Sequence, residues 1–177
     1  VRRSSRREKW VSEAADILYN GTGGNHPAAI DHAVELIRRS GLAGTGARPD
    51  VTVLFIMALT TRHRRTGQVA DLDEAIETGQ ATVNALPDSD IDRLIVSALV
   101  AAGLHSRHTV TGALADLDRA IGIGREVADA YPDDMTGRAG SLANLSMSLL
   151  ARFERTKDPA DADEADTAGR RALAAAE

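Results

Sequence analysis

One hexapeptide constrains this chain more than anything else in it. Asp71-Leu72-Asp73-Glu74-Ala75-Ile76 returns 45 residues later as Asp116-Leu117-Asp118-Arg119-Ala120-Ile121. After a second step of 45 it returns, weakened, as Asp161-Ala162-Asp163-Glu164-Ala165-Asp166. A fainter first copy, Asp31-His32-Ala33-Val34, lies 42 residues before Asp73-Glu74-Ala75-Ile76. Other positions keep the same step: Arg48, Arg93 and Arg138; Arg62, Arg107 and Arg152; Gly79, Gly124 and Gly169; and Leu59, Leu104 and Leu149, with Ile17 a further 42 back. Self-similarity at a fixed period of roughly 20–50 residues marks an array in which each supersecondary unit buries its face on the next.

The spacing of apolar residues makes each unit a pair of helices. Residues 4–19 read as a first helix, with Trp10, Ala14, Ile17 and Leu18 on one face and Gly21-Thr22-Gly23-Gly24 as the stop. Asn25 or His26 then caps a second helix with Pro27 at its first position, where a missing N–H costs nothing. Ile30, Ala33, Val34 and Ile37 share its face, and it ends near Ser40-Gly41. The stretch from Gly41 to Pro49 holds three glycines and reads as a connector.

The next helix, about 51–65, is apolar nearly all round and is expected to be sandwiched. Its end, Arg62-His63-Arg64-Arg65, places cations at the negative end of the helix dipole, and Gly67 follows. Its partner, about 68–85, presents Leu72, Ala75, Ile76, Gly79 and Val83 at steps of three and four, with Leu86 beyond them, and Pro87 closes the unit. The third unit repeats the plan over Ile91 to Thr109 and about 113–131, with its turn at Thr111-Gly112 and Pro132 as its close. The fourth runs from about 135 to 155, turns at Thr156-Lys157, and restarts at Asp158, a good N-cap before Pro159. The repeats are thus expected at about 4–41, 50–87, 91–132 and 135–177, in one repeat domain spanning residues 1–177. Three glycines at one mid-helix position, each costing about 1 kcal/mol relative to alanine, imply close approach of another helix there.

Composition narrows the function classes. Aromatics make up 3% of the chain, so the core must be built from Ala, Leu, Ile and Val. There is no cysteine, which removes disulfides, thiolate metal sites and a thiol nucleophile. No apolar run reaches the roughly 18 residues of a membrane span, and no signal-peptide pattern is present, so a cytoplasmic location is the expectation. The first nine residues carry +4, whereas the other 168, with 16 basic and 25 acidic side chains, carry −9. An acidic body argues against nucleic acid as the partner.

With the repeat laid out, the chain resembles the tetratricopeptide-repeat (TPR) family. Ala75-x11-Pro87 and Ala120-x11-Pro132 resemble that family's packing Ala and closing Pro. Phe55-Ile56-x2-Leu59, Val100-Ala101-x2-Leu104 and Leu145-Ser146-x2-Leu149 are similar to its Leu-Gly-x2-Tyr. The period is longer than the family's usual 34 or so, and Gly stands where an aromatic is usual in the second helix. The run Ala-Arg-Phe-Glu-Arg-Thr-Lys-Asp at 151–158, with Asp-Ala-Asp-Glu-Ala after it, resembles long repeats of large actinobacterial and fungal proteins. Those repeats are often attached to a caspase-like (CHAT) protease or a signalling ATPase. The resemblance implies an all-α, right-handed superhelix (α-solenoid) of about four antiparallel helix pairs. It also implies that the first helix of each pair lines a groove. Val53, Met57, Ala98, Ala102, Ala143 and Met147 are then the groove positions, with Thr60 and His105 one turn on. They are mostly apolar, which suits an apolar helix or extended peptide. The competing reading makes them core.

The remaining polar motifs have structural explanations. His63 and His108 are repeat equivalents and His105 lies one turn before His108, but without Cys or an adjacent acidic ligand no metal is expected. Gly21-Thr22-Gly23-Gly24 lacks the Gly-Lys-Ser/Thr ending of a phosphate loop. The paired aspartates (Asp71/Asp73, Asp116/Asp118, Asp161/Asp163) point in different directions and meet the positive end of a helix dipole. Arg62, Arg107 and Arg152 form a candidate anionic-ligand edge, or else pair with aspartates of the adjacent repeat. The arginine-rich start reads as a solvated first turn or an arm toward another surface. The expectation is a non-catalytic protein–protein interaction or scaffolding module, a sensing or recruiting segment of a larger protein, with a protein or peptide partner and no cofactor. Its rivals are a self-oligomerisation module and a regulatory domain for a small or anionic ligand.

Overall fold

The computed structural model describes residues 5–19, 27–46, 48–132 and 137–176. Among these there are eight helices and no strand: α1 (Arg6–Tyr19), α2 (Pro27–Ser40), α3 (Pro49–Thr66), α4 (Val69–Ala85), α5 (Ile91–Thr111), α6 (Leu114–Ala130), α7 (Arg138–Thr156) and α8 (Pro159–Ala174). The chain divides into two compact units, residues 1–96 and 97–177, and the division falls within α5. The first stop at Gly21–Gly24, its cap at Asn25 or His26, and the arginines at 2 and 3 lie outside the described residues. So do residues 135 and 136, where the spacing places the start of the seventh helix; it starts at Arg138.

In the first unit α1 packs on α2, α2 on α3, and α3 on α4. Seven residues of α3 are buried, Thr52 and Ile56 among them, so most of its apolar surface is enclosed, while Met57 stays exposed. On α4 the buried set includes Leu72, Ala75, Ile76, Gly79 and Val83, the face expected from spacing. In the second unit α7 lies against both α6 and α8. Its core joins Ile121, Leu142, Leu145 and Leu149 to the small residues Ala165, Ala168 and Ala172. Each fully buried Leu or Ile here contributes roughly 1.5–3 kcal/mol. Alanines on α8 let the helices come close. At Gly124 the approach is close: a Cβ there would lie 3.2 Å from Leu145 Cδ1. Gly169 is looser, with Ser146 Oγ at 3.4 Å from the same added atom.

A single device turns the chain between α3 and α4, between α5 and α6, and between α7 and α8. Gly67, Gly112 and Lys157 adopt left-handed φ of 72°, 73° and 61°. Their N–H groups donate to His63, His108 and Phe153 carbonyls at 2.7–2.8 Å, closing the preceding helix. The residue before each is a threonine, Thr66, Thr111 or Thr156. Its hydroxyl donates to the carbonyl four residues back and accepts the N–H two residues on. Restarting the next helix is done in two ways. Asp158 caps α8 with its own carboxylate, which accepts from Ala160 N–H at 3.1 Å. Gln68 and Ala113 make no such bond; there the His63 and His108 Nδ1–H groups donate to the Gln68 and Ala113 carbonyls at 2.8 and 2.9 Å.

The glycine-rich connector is packed against the protein at Gly44 and Gly46. Gly44 N–H donates to Thr52 Oγ1, which lies 2.8 Å from Thr82 Oγ1; the Thr82 hydroxyl donates in turn to Thr78 O. Because the last donor is set, Thr52 must donate to Thr82, and the buried hydroxyls form one directed chain. Gly46 has φ +68°, and a Cβ on it would sit 2.6 Å from Ala85 Cβ, so only glycine lets the loop lie on α4.

Candidate partner-binding face

Each groove candidate has a definite place. In the first unit Val53 and Thr60 are half-buried and Met57 is exposed at 36%. The Thr60 hydroxyl donates back to the Ile56 and Met57 carbonyls, so it is already satisfied by its own helix. Tyr19 OH, on α1, lies 4.0 Å from Met57 Sδ and is itself largely exposed. In the second unit Ala98, Ala102, His105 and Ala143 are half-buried, and Met147 is exposed at 53% with Leu150 beside it at 47%. Not all of these serve a surface alone. Ala143 packs on the core cluster, and Ala98 borders a void of about 10 Å³ with Ser141 and Leu145, about one water's room. Ala98 and Ala143 thus touch the interior as well as the surface. The open surface is carried by Met57 in one unit and Met147 in the other.

His105 sits between α5 and α7. Its Nδ1 is 3.1 Å from Ser148 Oγ, whose proton is given to Asn144 O at 2.9 Å. The ring must therefore donate to the serine, which leaves Ser148 without a base for its own proton, the reverse of what a serine nucleophile needs. Burial, reinforced by the neighbouring His108, holds the His105 pKa below the ordinary imidazole value. Among the described residues no group of three His, Asp or Glu side chains is placed to hold a metal ion.

The arginine edge differs from the expectation in its main partner. Arg62, Arg107 and Arg152 each grip one carboxylate through Nε and Nη2: Asp71 at 3.0 and 2.5 Å, Asp116 at 2.8 and 2.6 Å, Asp161 at 2.9 and 2.6 Å. The partner belongs to the same helix pair as the arginine, nine residues on, rather than to the adjacent repeat. Adjacent-repeat contacts exist as a second layer, Arg62 to Asp31 at 3.7 Å and Arg152 to Asp118 at 2.8 Å. Asp71, Asp116 and Asp161 are buried, while Asp31 and Asp118 are 61% exposed, so the bidentate pair is the one removed from water. Those bonds, above all the one from Arg107 and the one from Arg152, hold Asp116 and Asp161 below the usual carboxylate range. The arginines gain the opposite shift: Asp71 raises Arg62, and Asp161 with Asp118 raises Arg152 further. Asp116 and Asp118 diverge as expected, one bound to Arg107 and the other to Arg152.

The Arg-x8-Asp spacing recurs three times at the 45-residue step, but so does Arg-x10-Asp, so spacing narrows the partner to two aspartates without choosing between them. Spacing also relates Arg38 to Arg125 and Glu74 to Glu164. Both combinations form ion pairs between second helices, Arg38 with Glu74 and Arg125 with Glu164 at 2.5 Å. At the positions between them stand Gln80 and Arg119, which share no opposite charge. Arg93, which also lies 3.3 Å from the exposed Asp88, and Arg138 reach backbone carbonyls as well. The Arg93 guanidinium donates to the Val83 carbonyl and, at 3.5 Å, to that of Leu86, and Arg138 donates to the Tyr131 carbonyl at 3.1 Å, where α4 and α6 end.

No helix among the described residues is long and apolar enough to cross a membrane. No protein-family model, no curated protein and no solved structure matches the chain.

Proposed function

We propose that this chain is a TPR-like module, a right-handed stack of four antiparallel helix pairs in a larger cytoplasmic protein, and that it binds a protein or peptide without catalysing a reaction. The observation that carries this reading is how the repeated side chains are used. The recurring Arg, Asp, Thr and His residues at the turns are engaged in bonds within and between helix pairs. Among the side chains left open on the first helices are large, adaptable apolar ones, Met57 on α3 and Met147 with Leu150 on α7. An anionic ligand on the arginine edge is less well supported, because each guanidinium already holds a carboxylate.

The reading is tested by selecting displayed peptides against the immobilised chain and titrating the winners. Apolar helical or extended peptides should bind with micromolar Kd, weakened about tenfold or more by Met57→Glu or Met147→Glu, with thermal unfolding nearly unchanged. Peptides indifferent to both substitutions, or turnover of a substrate by the chain alone, would overturn it. Self-association is the second reading. Val110 and Leu114, exposed at 51% and 39% on either side of the α5–α6 turn, favour it. A monomer in sedimentation at high concentration would remove it.

A further inference from the structure

We propose that the cleft between α6 and α8 is a binding site for a small zwitterion, an aliphatic α-amino acid. The cleft encloses about 200 Å³. That is below the roughly 300–1,000 Å³ of pockets that take drug-sized ligands, so its occupant is small. Its floor is buried and apolar, formed by Ala128, Leu145 and Ala168. Its rim is charged with both signs. At one end Arg125 and Glu164 hold each other through two bonds of 2.7 and 2.5 Å and have little left to offer. Asp129 and Arg171 also line the cleft, and both are exposed. Arg171 has one long bond, 3.4 Å to Ala128 O, and Asp129 has no hydrogen bond or ion pair among the described residues.

This balance selects the ligand. A simple anion attracted to Arg171 would also face Asp129 and Glu164, and a simple cation near Asp129 would face two guanidinium groups. A molecule with a carboxylate and an ammonium on one carbon satisfies both, carboxylate to Arg171 and ammonium to Asp129. Its aliphatic side chain then covers the floor at Leu145.

The first unit supplies an internal control. There the register equivalents of Ala168 and Arg171 are Thr78 and Ala81, and that face of α4 is covered by the chain's own loop at Gly44. The equivalent of Asp129 is Leu42. Where the chain fills the space, the two rim charges are absent; where the space is open, they are present.

The inference does not depend on the peptide-binding reading, which concerns the exposed side chains Met57, Met147 and Leu150, none of which lines the cleft. It is tested on the whole chain by calorimetric titration with L-leucine, leucinamide and N-acetyl-leucine at neutral pH. L-leucine should bind saturably, and each blocked analogue about tenfold or more weaker. Asp129→Asn should abolish the preference for leucine over N-acetyl-leucine, and Arg171→Gln the preference over leucinamide. Both side chains are exposed, so the unliganded variants should unfold at the temperature of the parent. Absence of saturable binding by leucine, isoleucine and valine up to about 10 mM, equal affinity for the blocked analogues, or affinity unchanged in both variants would overturn the assignment.

Discussion

In residues 1–96 the face of α4 that bears Thr78, Ala81 and Ala85 is covered by the loop carrying Gly44 and Gly46. In residues 97–177 the matching face of α8, with Ala168 and Arg171, borders an open cleft. Both units are built on the same clamp, an arginine near the end of one helix holding a buried aspartate in the first turn of the next. The clamp fixes how two helices meet, and it works with almost any neighbour. What lies over the second helix is decided afterwards, by glycines that let a backbone come close in one unit and by charges that keep a rim in water in the other. A repeat can therefore conserve its joint while changing its surface.

The largest test concerns the shared clamp. Asp71→Ala and Asp161→Ala each leave an arginine only 17% or 22% exposed without its main partner, and each should cost about 3 kcal/mol in urea unfolding. Asp118→Ala removes only the outer contact of Arg152 and should cost under about 1 kcal/mol. Equal costs for Asp118→Ala and Asp161→Ala would mean that neighbouring repeats, rather than each helix pair, hold the arginines.

A smaller effect separates the covered face from the open one. Gly46→Ala needs a left-handed backbone and a place for a Cβ 2.6 Å from Ala85, and should cost about 2 kcal/mol. Gly169→Ala meets only Ser146 Oγ at 3.4 Å, and should be neutral or stabilising by up to about 1 kcal/mol through helix propensity. Hydrogen exchange read separately over α3–α4 and α7–α8 would show whether the Gly46 loss stays in its own unit.

The smallest difference is in pH response. Folding lowers the His105 pKa, so the unfolded chain takes up that proton first. Stability is then fully present above the ordinary value of 6.5 and declines as pH falls from there toward the folded-state pKa. The decline should appear in the α5–α7 amides and vanish in His105→Gln. The lowered carboxylates Asp116 and Asp161 add a second loss that begins only below about pH 4, where unfolded aspartates start to protonate. A pH profile flat between 6.5 and 5 would show that His105 is not held neutral by its surroundings.

Much of this was legible in the chain as written. The 45-residue period placed the helices of the last three units to within about three residues, the turns at Gly67, Gly112 and Lys157, and the cap at Asp158, because caps, turns and apolar spacing depend on residues within one or two turns of each other. The close approach at Gly124 was legible too, since an unfavourable mid-helix glycine needs a reason. The partner of Arg62 was not. Asp71 and Asp73 are two residues apart on a helix and so point about 200° apart, and only packing determines which is turned inward and buried. Nor could spacing show that one connector lies flat on α4 while α6 and α8 leave a cleft. That depends on which surfaces remain after helices distant in sequence have closed on each other, and such contacts leave no period in the chain. The sequence by itself determined where helices start, stop and repeat, through local bonds; tertiary structure alone decided which charges lose their water and which space stays open.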